Sequence, residues 1–213
     1  MKRIEITRLV VTPFASNCYV VSDTSSDQAI VIDPGGDFDL IIHNIQNHNL
    51  TPTNILLTHG HLDHIMAVSM FSERFDLPVY AHQEERPIIE SAPQQAQMFG
   101  LPAIQVPAVT NWFKDGDILT LNGLSFKVIH TPGHSPGGSC FLLENDIFVG
   151  DTLFEASIGR TDLPGGNHEQ LIRSIRTRLF CLPDDLVVHP GHGETTTLDQ
   201  EKKYNPFLQG LSA

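Results

Sequence analysis

The chain predicts an α/β fold of two packed β-sheets with helices on their outer faces, and three observations lead there. Short apolar runs rich in Val and Ile, bounded by turn residues, recur in both halves. Each half also holds a segment with helical apolar spacing. Sheets and helices of this kind bury their apolar faces best with the sheets stacked and the helices outside. Finally, no linker, low-complexity tract or shift in composition divides the 213 residues, so one domain over 1–213 is expected.

The elements can be justified in order. Ile4 to Val11, Cys18 to Ser22 and Ala29 to Ile32 read as opening strands. Asp33-Pro34-Gly35-Gly36 stops the third. Asp37 is placed to cap a helix from Phe38 to about His48, with Leu40, Ile41 and Ile45 on its apolar stripe. Thr53 to Thr58 reads as a buried strand that runs straight into His59-Gly60-His61-Leu62-Asp63-His64. A helix from His64 to about Phe75 follows, then a short strand at Val79 to Ala81. Pro87, Pro93, Pro102 and Pro107 break the next stretch, and no element is assigned to its middle. Further strands are expected at Ile118 to Leu121, Ser125 to His130, Ser139 to Leu143 and Ile147 to Val149. His168 to Leu179 reads as a helix, and Leu186 to Val188 as the last strand before Pro190-Gly191-His192-Gly193.

Composition narrows the function classes. Apolar content of 40% and charged content of 18% are ordinary for a globular protein. The formal charge of −12 repels phosphate backbones, so nucleic acid is not an expected partner. Cys18, Cys140 and Cys181 are far apart without CxxC spacing, which favours reduced thiols in a cytoplasmic protein. Cys18 and Cys140 sit in strand-like runs and read as buried packing. Met1-Lys2-Arg3 begins basic, but Glu5 and Arg8 interrupt any apolar core of a signal peptide. No apolar run approaches the ~20 residues that span a bilayer, so no membrane partner is expected.

The strongest chemical signal is His59, His61, Asp63 and His64 within six residues. A chance HxHxDH is expected in about two chains per thousand of this composition, so coincidence explains it poorly. On an extended segment His59 and His61 project to the same side, because side chains repeat every second residue. Asp63 and His64 lie where the backbone turns into a helix and can face a neighbouring point, so one loop can serve two metal ions. Three more candidates sit at strand ends beside residues that fix or free the backbone: His134 in Thr131-Pro132-Gly133-His134, Asp151 after Ile147-Phe148-Val149-Gly150, and His192. Imidazoles and carboxylates suit two divalent ions, zinc foremost, with iron or manganese as alternatives. Two such ions, less two carboxylates and one hydroxide, leave about +1 at the site, enough to attract an anion to an acidic protein.

Taken together, Val31-Ile32-Asp33-Pro34-Gly35-Gly36, the HxHxDH block, Thr131-Pro132-Gly133-His134, Gly150-Asp151-Thr152-Leu153-Phe154 and Pro190-Gly191-His192-Gly193 resemble the metallo-β-lactamase superfamily. The resemblance is closer to its short, bacterial-type glyoxalase II (hydroxyacylglutathione hydrolase) members and covers nearly the whole chain. It implies a four-layer αβ/βα sandwich of two mixed sheets, with the metals at one end between them. Carried over by motif position, His59, His61 and His134 hold one metal, Asp63, His64 and His192 the other, and Asp151 bridges them. It implies a thioesterase acting through a metal-held hydroxide on a small glutathione thioester such as S-lactoylglutathione. Asp63 would orient the hydroxide and accept a proton. A thiol leaving group, with a pKa near ~8.5, departs as thiolate without a strong acid. Arg160, in Gly159-Arg160-Thr161-Asp162, resembles the place where such enzymes set a basic residue against glutathione, and a surface arginine is the competing reading. Asp33 reads equally as a carboxylate behind a metal-bound imidazole and as a turn former.

The chain also departs from the longer glyoxalase II enzymes, whose helical carboxy-terminal region supplies glutathione contacts. Only about twenty residues follow His192, so that region is missing. Antibiotic hydrolases of the fold lack the bridging aspartate, and Asp151 argues against them. Lactonases share the HxHxDH block. Persulfide dioxygenases share it and the Gly-Arg-Thr-Asp segment, and hold one iron through positions equivalent to His59, His134 and Asp151. The full set of seven ligands favours the hydrolase over the dioxygenase, while the motifs alone do not separate it from a lactonase.

Overall fold

The structure, a computed structural model, describes residues 3–209; Met1 and Lys2 of the basic start, and residues 210–213, lie outside the described residues. Six strands form the first sheet: β1 (Ile4–Val11), β2 (Ser16–Asp23), β3 (Gln28–Ile32), β4 (Thr51–Leu56), β5 (Val79–His82) and β6 (Asn111–Phe113). They lie in chain order, antiparallel as far as β3 and parallel from there on. Each parallel step needs a crossover. The crossovers are α1 (Phe38–Asn47), then α2 (Leu62–Ile65) with α3 (Val68–Phe75), then α4 (Arg86–Glu90) with α5 (Ala92–Met98).

The second sheet contains β7 (Ile118–Leu121), β8 (Leu124–His130), β9 (Ser139–Leu143) and β10 (Asp146–Gly150) as an antiparallel meander. A two-stranded ribbon, β11 (Leu153–Phe154) and β12 (Ser157–Ile158), and the helix α6 (His168–Ser174) follow. The chain then returns as β13 (Val187–Pro190), parallel to β10, and ends with β14 (Thr196–Thr197) and α7 (Leu198–Tyr204).

Side-chain alternation assigns each strand residue to one of three apolar layers. Tyr19, Val21, Ile30, Ile32 and Leu56 from the first sheet meet Phe126, Val128, Phe141 and Phe148 from the second. The intervening residues Cys18, Val20, Val31 and Ile55 face outward onto Ile41, Ile45, Val68 and Phe71 of α1 and α3. On the other side Ile129, Cys140, Ile147 and Val149 pack under Leu171, Ile175 and Leu198. The result is helix, sheet, sheet, helix, as the sequence leads one to expect. Both Cys18 and Cys140 are buried packing residues, and burial pushes the Cys140 thiol up to about 12.

Some expectations are corrected. Pro87 and Pro93 do not break structure but occupy the first turns of α4 and α5, where a missing N–H costs nothing. The helix expected from His64 to Phe75 is split, because the Ala67 N–H is taken by the Pro34 carbonyl (2.9 Å). Asp37 precedes α1 but does not cap it through its side chain. Its backbone is left-handed, and its carboxylate accepts from the Thr12 N–H and hydroxyl at 2.7 and 2.8 Å. The helix expected at His168 to Leu179 finishes as a π-helical turn over Ile175–Leu179. Among the described residues no helix is long and apolar enough to cross a membrane.

Two predictions test this packing. Phe148 is fully buried between the sheets against Tyr19 and His189, and Phe148→Ala should cost about 3–5 kcal/mol in urea unfolding. At the ends of β5 and β8 the His82 and His130 rings stack at 4.2 Å, and burial, then His130, lowers the His82 pKa to about 4. A folded pKa below the unfolded one gives stability that is present above pH ~6.5 and lost as pH falls through the folded value. The Tm of wild type should therefore drop more steeply than that of His82→Phe between those limits, and parallel curves would refute the assignment.

Candidate metal centre

All seven side chains singled out in the sequence converge at one end of the sandwich. His59 and His61 leave the end of β4, while Asp63 and His64 sit in the first turn of α2. His134 follows β8, Asp151 follows β10 and His192 follows β13, so both sheets contribute. One group of mutually close ligand atoms comprises His59, His61 and His134, and a second comprises Asp63, His64, Asp151 and His192. Asp151 faces both, with one oxygen 3.4 Å from His64 Nε2 and the other 3.5 Å from His134 Nε2.

The outer hydrogen bonds decide which nitrogen each imidazole presents. His134 Nδ1 meets the Arg160 carbonyl at 2.7 Å, so Nδ1 carries the hydrogen and Nε2 turns inward as a bare lone pair. His64 and His192 are likewise held through Nδ1, 3.0 Å from Asp33 and 3.3 Å from the Ala15 carbonyl, and turn Nε2 toward the pocket, where that of His192 meets Asp63 at 3.0 Å. Thr58 donates its hydroxyl to Asp33 (2.5 Å), which frees its oxygen to accept from His59 Nδ1 at 3.1 Å. His61 is the exception and presents Nδ1, 2.8 Å from His134 Nε2. His134 Nε2 also lies 3.2 Å from His59 Nε2.

Whether these residues suit cations can be tested on two buried atoms. His64 Nε2 and Asp151 Oδ1 form no well-aligned hydrogen bond and face each other only as a 3.4 Å ion pair. Such orphans are costly unless something unites them, and a cation bound by both would do so. The electrostatics agree. Burial, then the neighbouring rings, pushes the His59 pKa well below the ordinary imidazole value and takes His61 to about 3. These rings stay neutral and offer lone pairs. At His64 burial opposes charge, but the Asp63 and Asp151 carboxylates outweigh it and raise the pKa well above normal. That end of the pocket demands positive charge.

Asp33, left between two readings by the sequence, has geometry compatible with each. It occupies a left-handed turn, and its oxygens are used by the Thr58 N–H, the Thr58 hydroxyl and His64 Nδ1. The Arg160 guanidinium is mostly exposed and paired with Asp162 through two 2.7 Å bonds, although the residue lines the cavity. The contact that Arg160 makes with the site runs through its backbone. Sequence reasoning missed three supports. Asn17 Nδ2 donates to the Pro190 and Gly193 carbonyls and the Tyr19 hydroxyl donates to Pro190, holding the His192 loop from the opposite sheet. Glu85 joins two of the histidine loops. None of the three belongs to a motif, and only tertiary contact reveals them.

Five of the seven candidate ligands, His61, Asp63, His134, Asp151 and His192, line a cavity of about 390 Å³ together with Phe14, Phe99 and Phe154. A cavity of this size lies in the range of small-molecule sites.

Comparison with known proteins agrees with this picture. The sequence model of the metallo-β-lactamase superfamily matches residues 11–192. A hydroxyacylglutathione hydrolase, GloC of Haemophilus influenzae, is 43% identical, covering 95% of this chain and 97% of that protein. Among solved structures, one described as the BLEG-1 B3 metallo-β-lactamase superposes with TM-score 0.91 at 39% identity, over 97% of this chain and all of that one. TTHA1623, solved in a di-iron-bound form, gives 0.86 at 40% identity, over 95% of this chain and all of that one. With its four layers, its strand-end ligand set and these relatives, the chain belongs to the metallo-β-lactamase superfamily and to its short, hydroxyacylglutathione hydrolase-like members.

Proposed function

We propose that this metallo-hydrolase is a thioesterase for small glutathione thioesters of the S-lactoylglutathione type. The observation that carries the reading is Asp151, whose two oxygens face two separate ligand clusters on the floor of one small cavity. In this reading His59, His61 and His134 hold one divalent ion, Asp63, His64 and His192 hold the other, and Asp151 spans both. Zinc suits the donors best, with iron or manganese next. When bound, the ions supply Lewis-acid activation of a water and of the substrate carbonyl.

The chain's own groups do the rest. Asp63 lines the cavity 3.0 Å from His192 Nε2, and burial raises its pKa while His64 and His192 more than reverse that. It is therefore ionised at neutral pH and can accept a proton from the attacking water. As the water oxygen bonds to the acyl carbon, the C–S bond breaks and its electron pair leaves on sulfur. A thiolate needs no strong acid to depart. Phe14, Phe99 and Phe154 shield the reacting centre from bulk water. Asp33 keeps His64 oriented, and Arg160 meets the anionic carrier by exchanging its Asp162 partner for a substrate carboxylate.

Purified protein should contain about two metal ions per chain and release thiol from S-lactoylglutathione without oxygen uptake. Chelation should abolish turnover, and added divalent metal should restore it. One iron per chain with oxygen consumption on glutathione persulfide would replace this reading with the dioxygenase, and turnover confined to lactones or β-lactams would replace it with those hydrolases.

Two substitutions test the roles separately. Asp63→Asn should lower kcat by about a hundred- to ten-thousand-fold, and a change below tenfold would remove Asp63 from proton transfer. Asp151→Ala should lower metal content as well as turnover, and full activity would refute the bridging role.

A further inference from the structure

Glu85 is the most completely buried acid outside the ligand clusters that touches them, at 1% exposure. It ends a short 3-10 turn, Gln83–Glu85, between β5 and α4. Burying a carboxylate is expensive unless its oxygens are satisfied. Here the Ser135 side chain lies against the carboxyl, and two backbone amides on loops of different sheets bond its oxygens. Oε2 accepts from the Gly60 N–H at 2.7 Å and Oε1 from the Gly137 N–H at 2.6 Å. Gly60 lies between His59 and His61, and Gly137 closes the turn that carries His134.

The fit leaves no slack. A Cβ on Gly60 would lie 2.6 Å from the Ile89 side chain and 3.0 Å from Glu85 Oε2, and one on Gly137 would lie 2.8 Å from Glu85 Cγ. The carboxylate is thus seated directly against both loop backbones. An apolar side chain could fill the same space, but it could not bond two amides that point at one spot from opposite sheets.

The consequence falls on one cluster more than the other. His59 and His61 come from the first sheet and His134 from the second, so the size of the three-imidazole cage depends on how closely the two loops approach. His64 and His192 are held elsewhere, by Asp33 and by the Ala15 carbonyl. We propose that Glu85 is a positioning residue that clips the two histidine loops together and so sets the metal affinity of the His59–His61–His134 cluster. The proposal rests on the two-metal reading above and adds a residue that acts only through its neighbours.

Glu85→Gln tests it in the full chain. The substitution keeps the volume and one acceptor but presents an NH2 group to one of the two amides. Zn²⁺ would be titrated against a competing chelator, with the imidazole NMR signals of His59, His61 and His134 followed separately from those of His64 and His192. The three-histidine cluster should lose about 10–100-fold in affinity, the range for outer-shell partners of metal ligands, while the other stays within about threefold. Unchanged affinity at both clusters overturns the clip, and so does an equal loss at both, which would mark a general loosening of the fold. Wild-type protein that takes up no zinc overturns the two-metal reading itself, so the two failures are distinguishable. A second measurement needs no variant. In metal-free wild type the Gly60 and Gly137 amides should exchange with solvent together and at least about 100-fold more slowly than free loop amides. Free exchange at either glycine overturns the proposal even if Glu85→Gln does not fold.

Discussion

Lone pairs repel, and five imidazoles with two carboxylates do not gather within a few ångströms of their own accord. Four of the five rings are held from behind. The oxygens that do this, from Asp33, Thr58, Ala15 and Arg160, fix the tautomer and the aim of four rings and leave their Nε2 atoms facing one pocket. This ring of outer acceptors is the constraint on which the rest depends. Without it the rings could rotate about their own axes, and their inner nitrogens would no longer converge on one point.

The fold makes that constraint affordable by carrying the candidate ligands on segments that leave strand ends, with Asp63 and His64 in the helical turn that follows β4. Side-chain alternation commits each strand to two apolar layers, so its register cannot slip without turning core residues outward. A side chain one or two residues past such a strand, as in Asp151 and His192, inherits that precision. The Asn17 and Tyr19 contacts to the Pro190 and Gly193 carbonyls then tie the second sheet to the first at the end where the ligands gather.

Much of this was legible in the sequence because it depends on short-range pattern. The HxHxDH block, the strand-end positions of His134, Asp151 and His192, and the alternation in β2, β3 and β10 are local. The stretch around Pro87 and Pro93 was not legible, because proline looks the same as a breaker and as the first turn of a helix, and only its neighbours decide. Asp37 illustrates a different limit. It has the right type and place for a cap, but Thr12, distant in sequence, offers its carboxylate two better donors. Glu85, Asn17 and Tyr19 were invisible for the same reason, since their value lies in partners far along the chain.

Residue 160 separates two kinds of freedom. His134 engages its main-chain carbonyl, an acceptor that every amino acid carries, while the guanidinium at the cavity rim is free of the ligand geometry. A change of side chain at this position can therefore alter the charge beside the cavity without retuning the imidazole behind it. In this way one scaffold can diversify what it recognises while conserving how it reacts.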